Sequence, residues 1–431
     1  MARTSETTDT PIPTDTDPGS PDDTPEPAPA GSGRARYLSN PQLYLFALAS
    51  AAVTANAYYI HPIISRVAED FGVSDAMIGA VPAFNQIALA LGILLLLPLG
   101  DRFSNRRLIS IFVAGQFVSL VVMALAQGFV LFVAGSTLLG FFTIAPYLLP
   151  AYVSKRVDSA RLGHATALLT TGIIAGILLA RAGAGVVGEY LGWRDVYYIA
   201  AAVMLAVTFL LPLVMDERDR DEVPKDQGSY FKLIASLGPL IRQYPEILLT
   251  GAIQALSFGI FLSVWMGLGL YLTSPEMGYG VDVVGYLAIL AIVNLLSTTP
   301  LGKWADRVGP RRARLAMASF QLAGVGLLLV FGHSLWLLII PLTIMNICGP
   351  VVDVTNRMTF LSKAADVRTR LMTVYIVMMF TGGGIASWAG TAAYDFAGWT
   401  GNAVLAMSLS ALVFALALWS ARRDAQKARR A

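Results

Sequence analysis

The charged groups that could do chemistry in this chain stand at two matching positions. The run LGDRFSNRRL at residues 99–108 recurs, imperfectly, as WADRVGPRRARL at residues 304–315, and its two aspartates, Asp101 and Asp306, lie 205 positions apart. An aspartate at the end of one helix is attracted to the positive N-terminus of a facing helix. Such a contact can hold one conformation and be released in another. The repeated pattern therefore predicts an electrostatic switch.

Three further ionisable residues interrupt apolar stretches. Arg181 keeps its charge at any working pH, so it can hold an anion but cannot carry a proton; alternatively it extends to a nearby surface beside Glu189. His61 belongs to the residue type that titrates near neutral pH, and it is either a coupling residue or hydrated. Asp353 has Arg357 one helical turn away, which favours a structural or gating ion pair over a proton carrier.

The elements that position these residues are long apolar segments. Hydrophobic residues make up 55% of the chain and charged residues 14%, and the mean hydropathy is +0.62. Segments of about 20 residues are long enough to cross a hydrocarbon core as helices, which satisfy their own backbone hydrogen bonds. We predict twelve, at about 42–65, 76–98, 107–126, 129–153, 163–187, 195–215, 246–272, 282–302, 312–332, 335–357, 370–392 and 399–420.

The distribution of basic residues predicts how these segments cross the membrane. If the N-terminus is cytoplasmic, all but three of the 31 Lys and Arg residues lie in cytoplasmic loops and tails. The exceptions are Arg66 and Arg194 in outer loops and Arg181 within a segment. The positive-inside rule therefore predicts a multi-pass cell-membrane protein with both termini in the cytoplasm. The same rule offers a topological explanation for Arg106 and Arg107, but not for the repeated aspartates.

The segments divide into two halves of six. The pairs Gly192-Trp193 and Gly398-Trp399 lie 206 positions apart, which repeats the offset of the aspartates within one residue. We predict a disordered cytoplasmic tail at 1–38, a first half at 39–215, a cytoplasmic linker at 216–245, a second half at 246–420 and a basic cytoplasmic tail at 421–431. A regulatory role for the first tail is an alternative to an inert one.

The charged runs resemble the signature of the major facilitator superfamily, which reads approximately G-x-L-A-D-R-x-G-R-R. The second copy matches it better, because the first has Leu97 and Ser104 where the signature has glycine. The resemblance implies an all-α integral membrane protein with twelve transmembrane helices in two pseudo-symmetric six-helix halves. It also implies that a set of hinge residues forms the gates: Asp101, Arg102, Arg106, Arg107, Gly302, Asp306, Arg307, Arg311 and Arg312.

The same resemblance implies a secondary active transporter that moves a small organic solute by alternating access. The run GILLAR followed by GWR looks like a bacterial efflux-type branch, so proton-coupled efflux of a drug or metabolite is the leading expectation. Uptake by a symporter or uniporter is the alternative, and a membrane receptor or enzyme is a remote one. Where many members carry a proton-coupling arginine in segment 4, this chain has Ser136.

In this fold, segments 1, 2, 4, 5, 7, 8, 10 and 11 line a central cavity, so their polar residues become cavity candidates. The candidates are Asn56, Tyr59, Asn85, Gln86, Arg181, Gln254 and Asn294, with His61 and Asp353 as coupling candidates. Amides and phenols suit a neutral or amphipathic organic substrate better than an inorganic anion. The alternative is that each residue forms a hydrogen bond between helices, worth about 0.6 kcal/mol.

Other kinds of site find little support in the residues. A single cysteine, Cys348, excludes an intrachain disulfide, and His61, His164 and His333 lie on different segments, so we expect no metal site. No P-loop occurs, so ATP-driven pumping is unsupported and we expect no cofactor. The expected partners are a small-molecule substrate, the lipid bilayer and protons as coupling ion. We expect no nucleic acid and a monomeric protein.

Overall fold

The architecture is a bundle of long helices. A computed structural model describes residues 37–215, 230–361 and 365–430, and every regular element within these ranges is helical. Eleven stretches are long and apolar enough to cross a membrane. The last, Val367–Arg423, covers 57 residues and contains non-helical backbone at Ala397 and Gly398, so it holds two spans. The predicted twelve-span, all-α fold is therefore confirmed.

The first half contains spans 1 to 6. Span 1 is formed by α1 (Asn40–Ala55) and α2 (Ile60–Phe71), span 2 by α3 (Asp75–Ile78) and α4 (Ala80–Leu96), span 3 by α5 (Asn105–Leu125), span 4 by α6 (Phe129–Phe141) and α7 (Ala145–Ser154), span 5 by α8 (Leu162–Tyr190) and span 6 by α9 (Trp193–Val214). Span 1 runs past its predicted end at residue 65, because the charged turn at its end continues the helix to Phe71.

The linker and the second half follow. The linker contains α10 (Tyr230–Ala235) and α11 (Leu237–Gln243); span 7 is α12 (Glu246–Leu272), span 8 is α13 (Val281–Leu287) with α14 (Ala291–Val308), span 9 is α15 (Pro310–Phe331), span 10 is α16 (Leu335–Leu361), and spans 11 and 12 share α17 (Ala365–Arg430). Helix α17 continues through the predicted basic tail at 421–431 as far as Arg430. Most of the predicted tail at 1–38, and linker residues 216–229, lie outside the described residues.

The Gly-Trp pairs mark equivalent turns in the two halves. Gly192 and Gly398 both have positive φ, 128° and 57°, a region that favours glycine. The following tryptophans begin the sixth span of each half and are buried. Trp193 packs edge-on against Phe132 at 5.4 Å, and the Trp399 indole N–H donates to the Leu328 carbonyl at 3.0 Å. The repeat found in the sequence is thus a repeat of structure.

Glycines allow span 5 and span 11 to pack closely on the first span of their own half. A methyl group at Gly176 would overlap the backbone of Ala51 in span 1. One at Gly382 would lie 2.5 Å from Cβ of Ala255 in span 7. Small residues are the usual means of close helix approach in membranes. This packing fixes the position of span 5, and therefore of Arg181.

The two halves meet at one end of the bundle. We call the end with the loops around 97–104 and 309 the hinge side, and the opposite end the far side. At the far side a methyl group at Gly185 would come within 2.9 Å of Gly285 Cα, and one at Gly269 within 2.6 Å of the His61 carbonyl. The Val281 N–H also donates to Glu189 Oε2 at 3.0 Å. These contacts close the far side between the halves.

Candidate functional site

Arg181 lies at the junction of the halves inside an aromatic enclosure. Its side chain is 1% exposed. The guanidinium carbon is 5.3 Å from the ring centre of Tyr58, 4.8 Å from that of Phe261 and 4.4 Å from that of Trp265. Tyr58 belongs to the first half, whereas Phe261 and Trp265 belong to α12 of the second. The enclosure therefore exists only while the two halves are together.

The guanidinium has no hydrogen-bond partner among the described residues. None of its three nitrogens is bonded, although all three are buried. Each of the three cation–π contacts contributes about 2 kcal/mol when desolvated, and the penalty for burying an ion is several kcal/mol. The rings therefore offset part of the cost, but they accept no conventional hydrogen bond from the three buried nitrogens, and an anion would supply these as charge-assisted bonds.

The alternative position for Arg181, extended to the outer surface beside Glu189, is not the one that the structure shows. Glu189 instead lies 3.5 Å from Arg66 and accepts the hydrogen bond from the Val281 N–H. It therefore joins the far-side contact between the halves, and the positive charge of Arg181 stays buried between them.

His61 shares this enclosure. It is 1% exposed, its ring centre is 5.1 Å from that of Tyr58, and neither ring nitrogen has a partner in the described part of the chain. Both the imidazole and the Arg181 guanidinium lie beside the Tyr58 ring. The burial of His61 places it beside Arg181 and not in contact with solvent, while a coupling role for His61 stays a prediction.

Aromatic rings continue from Arg181 toward the middle of the bundle. Phe258 stacks on Phe261 with ring centres 6.1 Å apart, and its edge-on contact with Phe380 has a centre distance of 5.6 Å. Phe380 in turn meets Tyr147 of the first half at 6.4 Å. This aromatic row provides an apolar surface beside the buried cation, which suits a ligand that joins a hydrophobic body to an anionic group.

Two of the three amide candidates of the first half, Asn56 and Asn85, donate hydrogen bonds to residues of that half. Asn56 donates from Nδ2 to Gln116 Oε1 at 3.1 Å, and Asn85 donates from Nδ2 to the Ser136 carbonyl at 2.8 Å. Gln86 is buried, and its Oε1 has no partner among the described residues. Tyr59 is only half-buried; its neighbour Tyr58 is the tyrosine beside Arg181. The two donated bonds join helices, but the side-chain oxygens of Asn56 and Asn85 are also buried without a partner among the described residues, so the cavity roles of these amides stay predictions.

The amide candidates of the second half form a separate group. Gln254 accepts a hydrogen bond from Asn356 at 3.4 Å, and its Nε2 lies 3.6 Å from the Met379 sulfur. Asn294 accepts one from the Thr298 hydroxyl at 3.0 Å within its own helix. The hydrogen bonds described for these two amides all lie within the second half, and none of them involves Arg181. Their cavity roles stay predictions.

Asp353 forms the predicted ion pair with Arg357. The Arg357 Nε donates to Asp353 Oδ1 at 2.8 Å, and the Tyr375 hydroxyl donates to the same oxygen at 2.6 Å. The carboxylate therefore joins span 10 to span 11 within the second half. A carboxylate held by two donors serves a structural or gating role more readily than proton transfer.

The gate candidates lie in and beside the loops that define the hinge side, and their gating role stays a prediction. The side chain of Asp101 lies outside the described residues, and Asp306 is exposed. Arg102 lies over the ring of Tyr230 in the linker at 5.7 Å, and Tyr230 donates to the Leu95 carbonyl. Arg311 pairs with Glu246 at 2.9 Å, which joins the start of span 9 to the start of span 7.

Three buried residues that the structure draws attention to were not among the predicted site residues: Phe261, Trp265 and Arg314. Phe261 and Trp265 are aromatic residues one turn apart in an apolar span, and that pattern is equally typical of a packed core. Arg314 belongs to the second hinge run but was not among the gate candidates, and it is 1% exposed. Its signal was available: it is a further arginine in the first turn of the span predicted at 312–332. Among the described residues no group of three His, Cys, Asp or Glu side chains could hold a metal ion.

Comparison with known proteins agrees with this architecture. The sequence profile of the Major Facilitator Superfamily matches residues 46–366 and 276–431. The chain is 29% identical over 388 residues to the transporter YgaY of Escherichia coli strain K12, a match that covers 89% of this chain and 96% of YgaY. It is 24% identical to the multidrug resistance protein MdtG of Escherichia coli, over 52% of this chain and 54% of MdtG.

A solved structure shares the fold at low sequence identity. The inward-facing, occupied structure of a bacterial homolog to the human lysosomal transporter Spinster superposes with a TM-score of 0.72 at 15% identity, covering 88% of this chain and 96% of that one. The profile match extends over most of the chain. The protein therefore belongs to the Major Facilitator Superfamily and is a membrane transporter.

Proposed function

We propose that this transporter moves a small organic anion with an aromatic or aliphatic body, and that Arg181 binds its anionic group. The observation that carries the proposal is the buried guanidinium, which has three unbonded nitrogens and three aromatic rings around it. A carboxylate accepts two parallel hydrogen bonds from such a planar fork. The row from Phe261 to Phe380 would contact the body of the solute.

The enclosure also suggests how binding is coupled to alternating access. Opening the far side must separate span 5 from the second half, which takes Arg181 away from Phe261 and Trp265. Water would then enter, and the attraction between the guanidinium and an anion falls as the local dielectric constant rises. The site would thus bind tightly while the far side is closed and release when it opens. With the hinge side in the cytoplasm, as the arginine distribution predicts, this sequence of events is export.

Efflux by exchange for protons is the leading form of the proposal. It is supported by the likeness to MdtG, which is named for multidrug resistance, over half of each chain. His61 is the group in the enclosure that could receive the proton after the anion leaves. A protonated His61 would repel the positive charge of Arg181. In each conformation, therefore, the enclosure would hold either the anion or the proton, and not both.

One observation favours a second candidate, symport. A proton on His61 repels Arg181 unless an anion lies between them, so the anion and proton could also bind together. The two would then travel in the same direction, and an inward proton gradient would drive uptake. Both forms share the anion site at Arg181.

Transport in proteoliposomes tests the proposal and separates the two forms. The full chain is reconstituted with a pH dye inside, and labelled aromatic and aliphatic carboxylates are followed together with internal pH. Exchange is expected to move solute and protons in opposite directions, whereas symport moves them together. Arg181→Ala should abolish the carboxylate flux, and Arg422→Ala, at an exposed arginine remote from the enclosure, should retain it. Undiminished coupled flux in Arg181→Ala contradicts the proposal.

A further inference from the structure

A cavity lies at the hinge side of the second half, apart from the aromatic enclosure around Arg181. It has a volume of about 370 Å³ and is formed by the ends of α12, α15, α16 and α17. None of the residues around Arg181 lines it. The proposed transport function uses nothing in this cavity, so its chemistry requires a separate explanation.

The cavity is lined with an excess of positive charge. Its described lining includes three arginines, Arg311, Arg314 and Arg423, and one carboxylate, Glu246. The carboxylate is engaged with Arg311 at 2.9 Å. Two positive charges therefore remain without a matching acid in the lining, which gives the cavity an attraction for anions.

Arg314 makes the cavity a built site rather than a cluster of surface charges. It is 1% exposed, although arginine is rarely buried. Nη1 donates to Asn356 Oδ1 at 2.9 Å and Nη2 donates to Ser420 Oγ at 2.7 Å, which fixes the plane of the guanidinium. Its Nε is buried and has no partner among the described residues. Both hydrogen-bond partners of Arg314 are neutral, and the one carboxylate in the described lining, Glu246, is shared with Arg311.

The surroundings of the cavity match the interface between a membrane and water. Trp419 lines it with 52% of its side chain exposed, and Arg423 lies 5.4 Å over its ring. Tyr244 lines the same cavity, and Leu248 one turn away is exposed. Tryptophan and tyrosine collect at the depth of lipid headgroups, and basic pockets between helices on the cytoplasmic side bind anionic headgroups.

We propose that this cavity binds the phosphate group of an anionic phospholipid, with Arg314 and Arg423 as its cationic ligands. The volume accommodates a phosphate and glycerol group, while the acyl chains would lie along the exposed apolar surface beside Leu248. The bound phosphate would bridge α15 to the end of α17 and stabilise the hinge side of the second half. The shared chemistry is a phosphate ester, so a soluble glycerol phosphate is the other source that the test must distinguish.

Native mass spectrometry of the full chain tests the site. The protein is exchanged into equimolar phosphatidylglycerol and phosphatidylcholine, and the number and affinity of retained lipids are measured. The wild type should retain phosphatidylglycerol selectively. Arg423→Gln should weaken that retention about fivefold, the effect of one basic residue near an anionic headgroup. Arg422→Gln is the matched control, because it removes the neighbouring exposed arginine that does not line the cavity.

The role of Arg314 is tested with the variant Arg314→Lys, and the source of the phosphate group with glycerol phosphate as a competitor. Arg314→Lys keeps the charge but loses the planar fork, so it should also weaken phosphatidylglycerol retention in protein that remains monodisperse. If Arg314→Lys fails to fold, Arg423→Gln decides. Glycerol phosphate is added as a competitor: a phospholipid site predicts that phosphatidylglycerol is retained at millimolar glycerol phosphate, whereas displacement at lower concentrations would assign the site to a soluble ester and overturn the lipid proposal. Equal retention of the two lipids by the wild type, or equal retention by Arg423→Gln and Arg422→Gln, overturns the proposal.

Discussion

Span 5 and span 11 occupy matching places in the two halves, yet they differ in what they bury. Both pack through glycines onto the first span of their own half. The offset that relates Gly192 to Gly398 relates Arg181 to Ser387, a buried serine. A cation in one half therefore corresponds to a small neutral residue in the other. Repetition preserves the packing, and the charge is present only once.

The hinge ends show the opposite asymmetry. The offset between Asp101 and Asp306 relates Ile109 to Arg314, and both side chains are fully buried. Here the second half carries the cation and the first half an apolar residue. Close backbone contact demands the same small residues in both halves, whereas a binding site needs its charged group at a single place. The unrepeated buried cations thus mark the sites that the repeat itself does not explain.

The largest expected effect breaks the shared packing. Gly176→Ala should greatly reduce the yield of folded, monodisperse protein, because its methyl group would overlap the backbone of Ala51. Gly183→Ala in the same helix has open space around the new methyl group and should be neutral or stabilising by up to about 1 kcal/mol. Size-exclusion profiles and thermal unfolding in detergent check both variants. Equal behaviour of the two would contradict the packing.

A smaller effect is expected at the hinges, where the two halves are compared directly. Asp101→Asn and Asp306→Asn should each slow transport about twofold to fivefold while leaving membrane insertion intact, since one charge at a helix end contributes about 0.3–1 kcal/mol. Transport and surface abundance are measured on the same cells. Normal rates in both single variants and in the double variant would rule out a gating role for the aspartates.

The smallest effects separate structural polar residues from binding residues. Asn56→Ala should lower stability by about 0.6 kcal/mol through loss of its bond to Gln116, with substrate affinity unchanged. Ser387→Ala, at the place matching Arg181, should change neither quantity measurably. Thermal unfolding and a substrate titration of each variant provide the check. A clear loss of substrate affinity in either variant would show that the substituted residue takes part in substrate binding.

The sequence contained much of the fold but only part of the site. The spans were predictable because the thickness of the bilayer sets the length of a helix that crosses it. The repeat was predictable from the matching offsets of Asp101 with Asp306 and of the two Gly-Trp pairs. Arg181 stood out because a cation is costly in an apolar span. Phe261 and Trp265 did not stand out, because aromatic residues in such a span are ordinary and their nearness to Arg181 depends on packing between the halves. The end of span 1 was misplaced because a helix can continue through charged residues at the membrane surface.

Anion binding by Arg181 is tested with pairs of ligands that differ only in charge. Purified wild type, Arg181→Lys and Arg181→Ala are titrated with aromatic and aliphatic carboxylates, each paired with the neutral carboxamide of the same shape, and binding is read from thermal stabilisation. We expect the wild type to prefer at least one acid over its amide. Arg181→Ala should bind that acid about 10- to 100-fold more weakly, with an intermediate loss in Arg181→Lys. Equal binding of acids and amides by the wild type, or unchanged affinity for the acid in Arg181→Ala, would contradict anion binding at Arg181.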